Sequence, residues 1–204
     1  EIYRIFPTPV ALYKYKDSID DELNYIKSIP YKPNSDPTLT HRSLNSFLFE
    51  KEELKDIYVF VNKCLKDYAR RVLATDQLLT VTQSWANTNI KGARHHEHVH
   101  PNSIISGVFY FQTNSSTPII FNKTNQQSIK YNDVNAEAFR LEVQVGSCIL
   151  FPSSLRHSVP ENESDEERIS MSFNTFSLDV LGSKDNLTYL NVKELLEDKN
   201  NGNN

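Results

Sequence analysis

Two cysteines in 204 residues leave no room for a disulfide framework. Cys64 and Cys148 both fall in apolar segments and read as buried free thiols, which suits a reducing compartment. The chain also lacks any apolar run long enough to span a membrane, and no signal peptide is read at its start. Glu1 stands where a complete chain would carry Met, so a few residues are expected upstream. Positive charge is short as well: 22 Lys and Arg against 26 Asp and Glu give a net charge of −4, with a pI near 5.9. No broad electrostatic footprint for nucleic acid follows, although a local basic groove stays open. Internal repeats and interdomain linkers are absent, and the length suits a single domain over residues 1–204. What is present is 38% hydrophobic, 24% charged and 11% aromatic, a globular composition rather than a disordered one.

The first 77 residues mix short strands with helices. Ile2–Phe6 and Val10–Tyr15 read as strands broken by Pro7 and Pro9. A helix signal begins at Ser18, with Asp20, Asp21 and Glu22 in its first turn, and Pro30 and Pro33 end it. Residues 34–49 read as irregular. The clearest helix runs from about Glu52 to Ala74, where Leu54, Ile57, Val61, Cys64, Leu65, Tyr68 and Val72 recur at helical spacing. It is expected to buttress a sheet, with its charged face solvated.

From residue 78 to 180 the pattern is strands: 79–90, 104–112, 118–123, 139–145, 147–151 and 168–178, rich in Val, Ile, Phe, Thr and Tyr. Val145-Gly146-Ser147 marks a tight turn. Helical crossovers between these strands are missing, which argues for antiparallel pairing. A late helical piece is read at 192–196, and residues 181–204 form a tail. Four glycosylation sequons, at Asn114, Asn122, Asn162 and Asn186, read as chance in a chain rich in Asn, Ser and Thr.

Four of six histidines lie in the run His95-His96-Glu97-His98-Val99-His100. Imidazole is the commonest protein metal ligand, and a close pair plus one distant ligand is how a sheet encloses a metal. Strict strand alternation puts His96, His98 and His100 on one face and His95 and Glu97 on the other. One strand cannot then aim both sets into one pocket. The distant imidazole is His157. Arg168 follows it, and a buried guanidinium needs a carboxylate or phosphate partner. Ser170 shares its face and adds a hydroxyl. Together they form a clamp for the far carboxylate of a small diacid. Arg168 pairing with the acidic loop Glu161–Glu167 is the bland alternative. Tyr110 reads equally as core or ligand-facing. Trp85, Asn87 and Asn89 alternate on one strand and either line a cavity or serve packing. His41 reads as an exposed loop residue.

The motifs His98-x-His100, the run Pro101–Tyr110, Phe151–His157 and Glu167–Asn174, with Ile5–Val10 and Ser84–Asn87, resemble the 2-oxoglutarate- and Fe(II)-dependent oxygenases. The likeness is to uncharacterised members found in bacteria and marine phages, and it covers nearly the whole chain. It implies a mainly β, α+β fold: a double-stranded β-helix, or jelly roll, supported by N-terminal helices. It implies His98, His100 and His157 as metal ligands, and Arg168, Ser170 and Tyr110 as the residues holding the C5 carboxylate of 2-oxoglutarate. Fe(II), 2-oxoglutarate and O2 are the implied cofactor and co-substrates, and C–H hydroxylation with release of succinate and CO2 the implied reaction. One departure stands out. The family position after the first ligand is usually Asp or Glu, and here it is His100. Three His ligands or a shifted register using His95 and Glu97 are both open, the first being preferred.

Two other readings remain: a cupin-like three-His dioxygenase that uses no 2-oxoglutarate, and a non-catalytic jelly-roll binding protein. The substrate, a small molecule or a protein, is not readable. The segments 33–49 and 122–138 are expected to choose it. Neither nucleic acid nor membrane is expected as a partner, and a homodimer is left open. The expected location is the cytoplasm, that of the host if the chain is phage-encoded.

Overall fold

The computed structural model describes residues 7–34, 40–122 and 138–194. The expected strand at 2–6, nearly all of the 122–138 segment and the end of the tail lie outside the described residues. Within them the order is β1 (Ala11–Lys14), α1 (Asp20–Ser28), β2 (Tyr31–Pro33), β3 (His41–Ser43), two 3-10 turns (Leu48–Glu50 and Glu52–Leu54) and α2 (Lys55–Val72). There follow β4 (Leu79–Asn89), β5 (His95–His98), β6 (Ile105–Gln112), β7 (Ile119–Asn122), β8 (Ala138–Leu141), β9 (Ser147–Pro152), β10 (His157–Val159) and β11 (Arg168–Ser177).

The strands form a seven-stranded sheet in the order β1-β9-β6-β11-β4-β3-β2 and a four-stranded sheet in the order β5-β10-β7-β8. Every pairing between them is antiparallel. This is the mainly β, jelly-roll arrangement expected from the sequence. Pro33 is accommodated because β2 is the sheet edge, where a missing N–H breaks no ladder bond.

The large sheet has two buried faces. One carries Ala86, Phe109, Phe111, Cys148, Leu150, Ile169, Met171 and Phe173, which pack against Ile57, Val61, Cys64, Leu65 and Tyr68 of α2. Each of those helix side chains is buried, a gross gain of about 1.5–3 kcal/mol for a large apolar residue. The spacing that predicted α2 is therefore the spacing of its contacts. The helix stops two residues early, at Val72, where Ala74 takes a left-handed φ of 53°. The other face of the sheet carries Val108, Tyr110, Ile149 and Phe151, which meet Ile119 and Phe121 of β7. The space between the two sheets lies on this side.

Two glycines matter to the sheet. Gly146 turns β8 back toward β9 with φ +76°. At Gly107 a Cβ would clash with the Phe173 ring and the Leu150 side chain, so a side chain there forces its neighbours to move. Both cysteines are free and buried. Three local expectations change. His41 is not an exposed loop residue but a half-buried member of β3. His157 opens a strand of its own. β8 ends at Leu141 rather than Val145. Residues 192–194 are helical. No helix among the described residues is long and apolar enough to cross a membrane.

Candidate metal centre

β5 and β10 do not pair residue for residue. His98 lies opposite His157 and His95 opposite Val159. Two residues of β5, His96 and Glu97, thus face the single Ser158. That is a β-bulge, which breaks the two-residue period. It turns His95 and His98 to the same side, and both line one pocket. The strict alternation read from the sequence is overruled here: one strand does aim both residues inward. Glu97 points away. Its carboxylate accepts hydrogen bonds from Asn122 Nδ2 (2.6 Å) and Arg156 (3.1 Å), so the described geometry does not offer it to a metal beside His95.

His100 lies just beyond β5. Its backbone N–H donates to the Ser153 carbonyl at 2.9 Å, and Asn102, with φ 56°, turns the chain toward β6. Asn tolerates that left-handed conformation better than most residues. The imidazoles of His98, His100 and His157 then converge. Their ligand atoms all lie within 4.8 Å of one another, and the Nε2 atoms of His100 and His157 are 3.2 Å apart.

Protonation favours metal binding. His98 Nδ1 lies 2.8 Å from the His96 carbonyl and His157 Nδ1 lies 2.9 Å from the Leu155 carbonyl. A carbonyl only accepts, so each Nδ1 carries the proton and each Nε2 presents its lone pair. Burial pushes the His100 imidazole down to about 3 and His157 to about 4, helped by neighbouring imidazoles. Burial also lowers His98. At neutral pH this is a set of three neutral nitrogen donors.

Arg168 sits deeper in the same pocket, at the start of β11 opposite Asn89. It is 3% exposed. One guanidinium N–H donates to Ser170 Oγ at 3.0 Å and, at longer range, to Asn89 Oδ1 at 3.4 Å. Its Nε has no partner. No ion pair to Arg168 exists among the described residues; in the acidic loop, Asp165 pairs instead with Lys91 at 2.8 Å. Tyr110 is fully buried on the pocket side of β6. The guanidinium carbon lies 5.0 Å from its ring centroid, and its hydroxyl makes no hydrogen bond of proper geometry. A buried cation without a carboxylate costs several kcal/mol. An unpaired guanidinium N–H beside an unpaired phenol is the donor set that a buried carboxylate ligand would satisfy.

The enclosed part of the pocket is small, about 20 Å³, room for about one water. Asn87, Ser172, Val108, Ile119 and Val159 complete its wall. Asn87 donates to Ser172 Oγ at 3.0 Å, while its Oδ1 is buried without a partner. The sequence singled out Asn87. It gave no weight to Val108, Ile119, Val159 or Ser172, although period-2 alternation from Tyr110 and Ser170 would have found Val108 and Ser172.

Comparison with known proteins fits this geometry. The profile of a family described as putative 2OG-Fe(II) oxygenase matches residues 83–174, the stretch from β4 to β11 that holds every residue named above. The fold is that of the 2OG-Fe(II) oxygenases. Superposition on HygX from Streptomyces hygroscopicus, solved with nickel, 2-oxoglutarate and hygromycin B, gives a TM-score of 0.61 at 11% identity, covering 82% of each chain. A Pseudomonas putida prolyl-4-hydroxylase gives 0.58 at 13% identity, covering 82% of this chain and 92% of that one. The α-ketoglutarate-dependent epimerase SnoN of nogalamycin biosynthesis gives 0.65 at 9% identity, covering 84% and 78%. A search of curated protein sequences finds no match.

Proposed function

We propose that the protein is a 2-oxoglutarate- and Fe(II)-dependent oxygenase that hydroxylates its substrate. One observation carries the reading: three neutral imidazoles converge within 4.8 Å in the same pocket as a buried arginine that has no carboxylate partner among the described residues. His98, His100 and His157 would hold Fe(II). Arg168 and Tyr110 would take the distal carboxylate of 2-oxoglutarate, with the Ser170 hydroxyl keeping the guanidinium in place at 3.0 Å. With 2-oxoglutarate and O2, such a centre supplies the oxidising power to hydroxylate a C–H bond while succinate and CO2 are released.

The chain's own part is positioning. The carbonyls of His96 and Leu155 fix the tautomers of two ligands. The Ser153 carbonyl anchors the third through its backbone. Val108, Ile119 and Val159 keep the wall dry. Anaerobic titration with Fe(II) and 2-oxoglutarate tests the reading. A visible chelate band is expected in the wild type, absent in His157→Ala and strongly weakened in Arg168→Ala. No band in the wild type rejects it. The all-imidazole donor set favours one competing reading, a cupin-like three-His dioxygenase without co-substrate. Metal binding with no response to 2-oxoglutarate would select that one.

A further inference from the structure

We propose that the mouth of this pocket binds the substrate by an anionic group, a carboxylate or a phosphate, held by Arg42 with Lys32 and flanked by the Trp85 ring. The proposal rests on the oxygenase reading for what lies beneath the mouth. Strand register carries the rest. In an antiparallel pair, residues directly opposite share a face of the sheet. Lys32 lies opposite Arg42, Arg42 opposite Asn87, Asn87 opposite Ser170. Asn87 and Ser170 line the pocket, so Arg42 and Lys32 continue the pocket face outward along the row. Ser43 verifies the register: it is buried on the other face, where its Oγ accepts from the Ala86 N–H at 3.1 Å.

The pocket opens in the right direction. Along the same face of β4, Asn89 and Asn87 are 0% and 3% exposed, Trp85 is half-buried and Gln83 is exposed. The Trp85 ring centroid lies 5.9 Å from that of His100. A molecule reaching the metal centre from this end passes Trp85, two residues along β4 from the Asn87 that Arg42 lies opposite.

Charge decides what the molecule is. The chain has more acid than base, yet among the described strands Glu97 is the one carboxylate, and it faces outward to Arg156 and Asn122. No described strand turns an acid inward. Lys32 and Arg42 stand opposite each other, an arrangement that repels unless an anion lies between them. Neither forms an ion pair among the described residues. Beneath them, Fe(II) on three neutral imidazoles, with Arg168 and a dianionic co-substrate, keeps one positive charge in excess. A carboxylate ligand at position 100 would have cancelled it. The departure at His100 and the basic mouth therefore ask for the same thing, a negatively charged substrate.

Trp85 is the chain's only tryptophan, so its fluorescence reports this mouth alone. With Fe(II) and saturating 2-oxoglutarate, anaerobically, the protein would be titrated with 3-phenylpropionate, with phenyl phosphate, and with 3-phenylpropionamide, the neutral isostere of the first. At least one anion is expected to change the emission saturably, with an affinity at least about tenfold above the amide. Arg42→Gln should remove that advantage, Arg42→Lys restore part of it, and the exposed Lys32→Gln weaken it less. Which anion binds better identifies carboxylate or phosphate. Equal affinity for acid and amide, no saturable change with either anion, or full discrimination in Arg42→Gln overturns the proposal. The chelate band, read in the same cuvette, separates the two ideas: its absence rejects the oxygenase reading, while its presence without discrimination rejects only the anionic mouth.

Discussion

Arg168 is the residue whose environment is most out of balance. It is buried against Tyr110, Ser170 and Asn89, and burial disfavours its charged form, yet a guanidinium does not give up its proton. The cost is borne by the fold. Arg168→Met should therefore lose 2-oxoglutarate binding by about a hundredfold or more, the cost of removing one side of a buried charge pair. It should also leave the metal-free protein no less stable, and up to a few kcal/mol more so, as apolar replacements of buried charge can be. Chelate titration and a thermal melt in chelator check the two halves. A variant that melts markedly lower would show that Arg168 is held by compensating contacts.

At the scale of elements, the close approach of β6 to Phe173 gives a second expectation. Gly107→Ala presses a methyl carbon against the edge of the Phe173 ring and the Leu150 side chain, so these side chains or the strands that carry them must shift. A loss of about 1–3 kcal/mol or more follows from overpacking, measured by urea denaturation. Unchanged stability would mean that the Phe173 ring moves freely. Elements also show where sequence reading reaches its limit. α2 was legible because periodicity records burial on one side, and the long strands because of their β-branched and aromatic composition. The face taken by Tyr110 was not, because β6 is buried on both sides, and such a strand carries no clean alternation to read. β3 and β10 are three residues each, too short for any pattern. The bulge in β5 depends on how β10 pairs with it, which no property of the run 95–100 encodes. The three histidines that converge could be named from motif and spacing, but the inward turn of His95 could not.

For the whole molecule, stability and pH are linked through the centre. His100 and His157 are held near 3 and 4 in the folded protein, below the ordinary value of about 6.5. As pH falls below 6.5 the unfolded chain takes up protons first, so stability present above that value drains away down to about pH 3. Metal-free protein should lose about 5 kcal/mol between pH 7 and 4.5, roughly half from each histidine, a Tm drop of roughly 10–20 °C. His157→Gln should flatten the slope, and a flat wild-type profile would contradict the buried neutral histidines. Bound metal acts the other way: at 100 times its Kd, Fe(II) or a divalent substitute should add about 2.7 kcal/mol. That gain should vanish in His98→Ala and His157→Ala.

The strand order has a consequence for how the chain is made. β11 lies at the centre of the large sheet, bonded to β4 on one side and β6 on the other, although it is the last of the described strands in chain order. β1, made first, pairs with β9 from Ala11 opposite Leu150 onward. During vectorial synthesis β1 must therefore wait, unpaired, for a partner more than a hundred residues behind it. The sheet closes only after residue 177 has emerged from the ribosome. A chain truncated at Glu167 would lack the central strand along with Arg168, so it should emerge as a protease-sensitive coil. Folding of such long-range topology is slow, and the protein passes through synthesis with its histidines exposed and its pocket not yet built.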